Sequence, residues 1–356
     1  MKLDSNLISS NVKIEANYIT IKNNKKGVLI NVLFPYGYDT IDLLIDYYLY
    51  TVALSVGNIL GNGTCTYRID QNTSVIVIEL LDPKDVNYAL ANTFNLLQNK
   101  QFINDIIESP ESIRDYAETV MPQVAAEKYG FAVLSMDGII FRDIIDNSEQ
   151  IMLDSLSNLS VIQEKLTKLQ ELIIEKNAIV LIEGEEVSLT LDVSESAIEH
   201  EISNKLVLDT NSSIFTENNN IEILEFIFDN ELDYKNRYIM ISLFVYYIKS
   251  IYGDSTISTY NSDKLNFKIF LRNSTPNENL LHNIFYNIKQ NKHFDMFVSY
   301  FKIYLKKELN KLDTVEGIAN VLTHDTPVYD IDYIKTLKIT HTDMIDWVKA
   351  NILTHK

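Results

Sequence analysis

The chain has a single cysteine, Cys65, only ten glycines and six prolines, and no histidine before His200. Each scarcity excludes something. One cysteine rules out a disulfide within the chain and fits a reducing compartment. Little glycine or proline leaves little room for flexible, low-complexity linkers. Before His200 nothing can offer an imidazole to a metal or to a proton. The N-terminal stretch MKLDSNLISSNVKIE lacks the apolar core of a secretory signal. The longest apolar run, around Ile239 to Ile248, is far short of the roughly 20 residues that cross a bilayer. These absences lead to the expectation of a cytoplasmic protein with no membrane span.

What is present is acid, isoleucine and tyrosine. The formal net charge is −18 over 356 residues. Such a balance excludes nucleic acid, whose phosphates need a basic surface, and steers cationic peptides or basic proteins favourably. The length allows two domains with sizeable cores.

Residues 12–22 (VKIEANYITIK) alternate apolar and polar and read as one half-buried strand. The turn NNKKG then leads to VLINVLF at 28–34, so a hairpin is expected. An apolar helix follows at 41–56 (IDLLIDYYLYTVALSV). After a loop with Gly57, Gly61 and Gly63, TSVIVIELL at 73–81 reads as a β-branched strand. Asp82 and Pro83 then mark a helix start as N-cap and first residue.

About 192 positions later the same order returns. QNKQF at 98–102 is matched by QNKHF at 290–294, and the helix before each is matched as well. The strand 74–81 matches 266–273, 27–34 matches 220–227, the long helix after it matches 234–248, and 161–173 matches 340–352. This spacing reads as an internal duplication giving two similar domains rather than a solenoid. The expected fold class is α+β, each domain a mainly antiparallel sheet packed with helices. The expected bounds are 1–184 for the first domain, 185–205 for an acidic connector and 206–356 for the second.

This order, with NAIVLIEGE closing the first half and LKITHTDMIDWVKANIL closing the second, resembles the pitrilysin-type peptidases, the inverzincins that include the mitochondrial processing peptidases. The resemblance implies an H-x-x-E-H motif on the first-domain helix after the turn, with a further glutamate on a later helix. Here that helix reads IDYYLYTV. Its residues Asp42, Asp46, Tyr47 and Tyr50 form a degenerate zinc-site helix with no imidazole. Asp42 and Asp46 are at i and i+4 and read as a solvated polar edge. Glu118 and Glu127, where the later glutamate would fall, read as helix-surface acids.

In heterodimeric members of this family one subunit holds zinc and the other none, and the two close around an unfolded peptide. The zinc-free subunit supplies an Arg–Tyr pair that grips substrate. The matching region, 246–263, offers Lys249, Tyr252 and Tyr260 but no arginine. These three are the assisting candidates, and Tyr246, Tyr247 and Tyr252 also read as helix-end packing. The resemblance thus implies a non-catalytic, substrate-binding pseudoenzyme subunit of a bacterial peptide-processing metalloprotease complex. It would carry no cofactor of its own. Zinc is expected in a homologous partner bearing H-x-x-E-H, and the substrate is an extended, cationic peptide such as a precursor or leader. The alternative is a stand-alone peptide-binding or structural protein on the same fold.

Elsewhere the chemistry is thin. The six histidines are scattered, GNILGNG does not continue into a phosphate loop, and Cys65 has no histidine near it in sequence.

Overall fold

The computed structural model describes residues 7–24, 26–37, 44–69, 73–108, 110–116, 158–185, 187, 189, 221–253, 256–263, 266–272, 280–324 and 327–352. The fold is mixed helix and sheet, as the sequence pattern indicates. The chain divides into two compact units. The described parts of the first lie before residue 117, at 158–189 and at 311–324; the second holds 221–310 and 327–352.

The first unit is built on a six-stranded sheet: β1 (Val12–Glu15), β2 (Tyr18–Lys22), β3 (Val28–Phe34), β4 (Gly63–Ile69), β5 (Ser74–Leu80) and β6 (Ile179–Gly184). Their order across the sheet is β1-β2-β6-β3-β5-β4. Only β2 and β6 run parallel. Two expectations fail here. Residues 12–22 are two antiparallel strands, because the chain turns at Ala16 (φ 51°) and Asn17. The Asn17 amide donates to Glu175 O and Ala178 O, which pins that turn to the entry of β6. Nor do β2 and β3 form a hairpin, because β6 inserts between them. The apolar run Ile179–Ile182 is buried on both faces, and a central position satisfies it where a terminal one would not.

Helix α1 (Leu44–Ile59) covers one face of this sheet and packs on β4. Residues 41–43 lie outside the described residues, and the helix runs three residues beyond the expected end at Val56. It is followed by α2 (Val86–Leu97), α3 (Lys100–Ile107), α4 (Pro110–Asp115) and α5 (Leu159–Leu172). Asp82 accepts from the Lys84 amide and Pro83 sits in the first turn, as expected, although that turn is a 3-10 turn leading into α2.

The second unit has a three-stranded sheet of β7 (Ile221–Ile227), β8 (Ile257–Asp263) and β9 (Asn266–Arg272), in the order β7-β9-β8. The long helix α6 (Glu231–Tyr252), then α7 (Leu280–Gln290) and α8 (Phe294–Asn310), pack with it. The next helix, α9 (Val315–His324), belongs to the first unit, where it lies on β3 and β6. Its N-terminal Val315 amide donates to Glu183 Oε2 at 3.1 Å, and the Asn23 amide donates to the other oxygen of that carboxylate. Glu183 is thereby a buried acid with both oxygens engaged, placed where a helix N-terminus favours negative charge. Short α10 (Ile331–Thr336) and α11 (His341–Asn351) complete the second unit, the latter opened by a Thr340–Asp343 capping box.

Candidate functional site

Within α1, the run that the sequence resemblance equates with the zinc motif is Asp46-Tyr47-Tyr48-Leu49-Tyr50. Helical spacing puts Asp46 and Tyr50 on one face. The sequence reading made Asp46 a solvated edge; the structure corrects this, because its relative exposure is only 2 %. Burial is tolerated because phenols surround it. Tyr116, just after α4, donates its hydroxyl to Asp46 Oδ1 at 2.9 Å, and the Tyr67 and Tyr116 hydroxyls are 2.7 Å apart. Tyr67, on β4, lies close enough to feel the negative charge of Asp46. The Tyr47 and Tyr50 rings pack 5.2 and 5.0 Å from that of Tyr116. Tyr48 points elsewhere, into the core, and donates to Leu97 O at 2.9 Å.

The electrostatics keep these phenols protonated. Burial first, then the negative charge of Asp46, push both Tyr67 and Tyr116 far above the usual tyrosine value. Both therefore keep their protons: Tyr116 donates to the carboxylate and Tyr67 donates to the Tyr116 oxygen. Leu49 is fully buried and apolar. A zinc site needs imidazole, thiolate or carboxylate donors free to turn inward. One buried carboxylate already accepting from a phenol does not fit that ion. Among the described residues no three His, Cys, Asp or Glu side chains come together in a metal-holding group. Asp42, Glu118 and Glu127 lie outside the described residues.

Neither Tyr67 nor Tyr116 was singled out by sequence. The signal for Tyr67 was available. In GTCTYRI the inner positions Cys65, Tyr67 and Ile69 alternate with Thr64, Thr66 and Arg68 at period two, and the first set faces α1. Gly57 of α1 lies over Cys65: a Cβ built there would sit 3.9 Å from the Cys65 Cβ. Burial pushes the Cys65 thiol up to about 12, so it is a packing thiol and not a nucleophile near neutral pH.

In the second unit Lys249 lies near the end of α6 and lines a cavity of about 450 Å³. Tyr238, Ser242, Tyr246, Thr259 and Tyr304 line it too. Tyr246 and Tyr304 are stacked at 5.1 Å. Tyr252 is not part of this lining; its hydroxyl accepts from the Asn287 amide of α7. Tyr247 is buried in the core beside Phe297. Tyr260 occupies β8 opposite Lys268 of β9. Of the three assisting candidates, the structure thus gives Lys249 a cavity and Tyr252 an anchoring bond.

By sequence the chain matches no family model and no curated protein. By structure it has the pitrilysin-type peptidase fold. A protease from Helicobacter pylori superposes with a TM-score of 0.50 at 13% identity, over 94% of this chain and 93% of that one. The ferredoxin protease FusC, solved as a point mutant in complex with Arabidopsis ferredoxin, gives 0.57 at 11% identity. That match covers 97% of this chain and 46% of FusC, so the chain spans less than half of that protein's length. Pitrilysin aligns over 94% of this chain and 40% of its own at a TM-score of 0.43. At these identities the likeness is one of fold.

Proposed function

We propose that this chain is the non-catalytic, substrate-binding subunit of a heterodimeric zinc metallopeptidase that processes peptides. The observation that carries this reading is the buried Asp46–Tyr67–Tyr116 cluster beside α1, the helix that the sequence resemblance equates with the zinc-motif helix. With no imidazole on that helix, cleavage falls to a homologous partner bearing H-x-x-E-H. This chain's task is to hold the peptide. β4 supports that task, since it is the outer strand of its sheet and can accept an extended peptide as a further strand. In the second unit Lys249 is the assisting candidate that lines a cavity. Lysine supplies charge there, without the bidentate fork of arginine.

The same reading takes 1–184 and 206–356 as two homologous domains joined by 185–205. The recurrent order of elements favours it: β3, α1, β4, β5, α2, α3 in the first half and β7, α6, β8, β9, α7, α8 in the second. Among the described residues no helix is long and apolar enough to cross a membrane. A bacterial cytoplasm is the proposed setting, and a precursor or leader peptide the proposed substrate.

Co-expression with an H-x-x-E-H protein from a neighbouring gene tests the proposal. The expected result is a stoichiometric complex that cleaves peptide while each chain alone does not, with zinc only in the partner. Stoichiometric zinc in this chain purified alone would overturn the assignment. So would cleavage by the partner at an equal rate without it.

A further inference from the structure

Helix α8 is apolar on two opposite sides. Its inward residues Phe294, Val298, Phe301 and Leu305 are buried in the core of the second unit. Its outward side carries Met296, Tyr300 and Ile303, which are 54, 53 and 50% exposed. Single exposed apolar side chains are ordinary on a protein surface and need no explanation. These three differ by their spacing. With Lys307 they follow one another at four, three and four residues, the rhythm of the seam between two paired helices. That spacing keeps all four in one stripe, on the side away from the core-facing residues. The helix is long enough for such a seam, since its 17 residues span about 25 Å.

The charges beside the stripe say what covers it. Asp295 and Lys306 are about three helical turns apart, so they share one flank of the stripe. Both are exposed, and among the described residues neither side chain has an ion-pair or hydrogen-bond partner. Two copies of α8 laid antiparallel bring each Asp295 beside the partner's Lys306, and the two-fold symmetry makes the pair twice. In the seam Tyr300 meets the partner's Ile303. Met296 meets the methylene stem of the partner's Lys307, whose ammonium group stays at the rim. A parallel pair would instead set acid against acid and lysine against lysine, which repel. The antiparallel pair also places opposite ends of the two helix dipoles side by side. The face is thus complementary to itself in one orientation only.

We propose that the outward face of α8 is a self-association surface, on which a second copy of this chain docks its own α8 in antiparallel orientation. The size of the stripe sets the strength. A stable dimer buries about 800 Å² on each partner, and one helix with three half-exposed apolar side chains buries less. The association is therefore weak and reversible, with a dissociation constant on the order of 50 μM. The net charge of −18 on each copy opposes it at long range, so moderate salt helps the encounter while it weakens the Asp295–Lys306 pairs. This inference concerns a second copy of the chain and does not depend on a zinc-bearing partner.

The test is sedimentation velocity of the full chain alone, from about 1 to about 300 μM. The average mass is expected to rise from that of one chain towards that of two. Ile303→Glu puts an acid into the seam and should raise the dissociation constant at least about tenfold. Asp295→Lys and Lys306→Glu should each raise it about fivefold, because each sets like charges together at both ends of the pair. An equal mixture of these two variants should recover the affinity of the unaltered chain, since each offers the other the opposite charge. All three positions are exposed, so circular dichroism should show every variant folded. If Ile303→Glu does not fold, Tyr300→Ser replaces it and should weaken association in the same direction. A single chain at every concentration would overturn the proposal. Dimers that persist unchanged in the seam variant would overturn it as well. Dimers lost in the seam variant but not recovered in the mixture would overturn the antiparallel pairing.

Discussion

The helix that follows the first strand of each three-strand group meets the same kind of sheet in two different ways. α1 lies against β4, and α6 against β8, in groups of identical order, β3-β5-β4 and β7-β9-β8. Beneath α1 the space is filled by a carboxylate and phenols bonded to one another. Beneath the later turns of α6 it is left as a cavity of about 450 Å³ walled by Tyr238, Tyr246 and Tyr304. Both solutions use tyrosine, with opposite effect. Where an acceptor is buried nearby, the hydroxyls turn inward and close the structure. In the second unit the Tyr246 and Tyr304 rings stack and leave room. The first arrangement is suited to rigidity and the second to holding something.

The comparison can be broken most forcefully at α9, a helix of the first unit. A Cβ built on Gly317 would sit 2.0 Å from Lys311 O, a backbone atom that cannot move aside cheaply. Gly317→Val should cost at least about 3 kcal/mol, because α9 must shift off β3 and β6. Hydrogen exchange is expected to rise at Ile30 and Val180 and to stay low at Ile269. Equal loss of protection in both sheets would mean that α9 is not the first unit's own helix.

A smaller loss is expected at the cluster itself. Asp46→Ala leaves the buried Tyr116 hydroxyl without its acceptor and should cost about 2 kcal/mol. Asp46→Asn keeps an acceptor oxygen and should cost about 1 kcal/mol. Urea unfolding of both variants gives the ranking. If Asn is the worse of the two, the carboxylate is held by something other than the phenols. Removing a hydroxyl, as in Tyr67→Phe or Tyr116→Phe, should cost about 1 kcal/mol each.

The cluster also sets a pH dependence whose sign follows from the raised phenols. Tyrosines held above their ordinary value, about 10, contribute stability that is complete below that pH. It is lost as pH rises past it, because the unfolded chain then releases protons that the folded one keeps. A melting temperature falling between about pH 10 and 12 is expected. The fall should be shallower in the Tyr67→Phe/Tyr116→Phe double variant. An identical slope would show that other buried tyrosines, such as Tyr18 and Tyr329, carry the effect.

How much of this was legible in the sequence differs between elements and site. β3, β5 and β6 announce themselves as apolar runs, and Asp82 and Pro83 mark the entry to α2, because these signals are local. The turn at Ala16–Asn17 was not legible. An alternating pattern continues through it, and what fixes it are carbonyls at Glu175 and Ala178, far along the chain. Asp46 failed for the same reason. An aspartate in an apolar helix reads as solvated until its donor is known, and that donor is Tyr116, 70 residues along the chain. The place of β6 between β2 and β3 is likewise a matter of topology, which periodicity alone does not encode.

The smallest structural effect belongs to the second unit, and it separates filling from holding. Lys249 is exposed at the cavity, so Lys249→Ala should change stability by less than about 0.5 kcal/mol. Ser242→Phe pushes a ring into the half-buried lining and should stay within about 1 kcal/mol, because space is there to take it. If the cavity grips substrate, both variants should slow peptide turnover by the reconstituted complex while leaving its assembly intact. Lys249→Ala should do so in a salt-dependent way, since charge is what it removes. Ser242→Phe should slow turnover equally at low and high salt, since it acts by occupying space. Unchanged turnover in both would make this cavity a packing defect, and the two helices would then differ only in how well each covers its sheet.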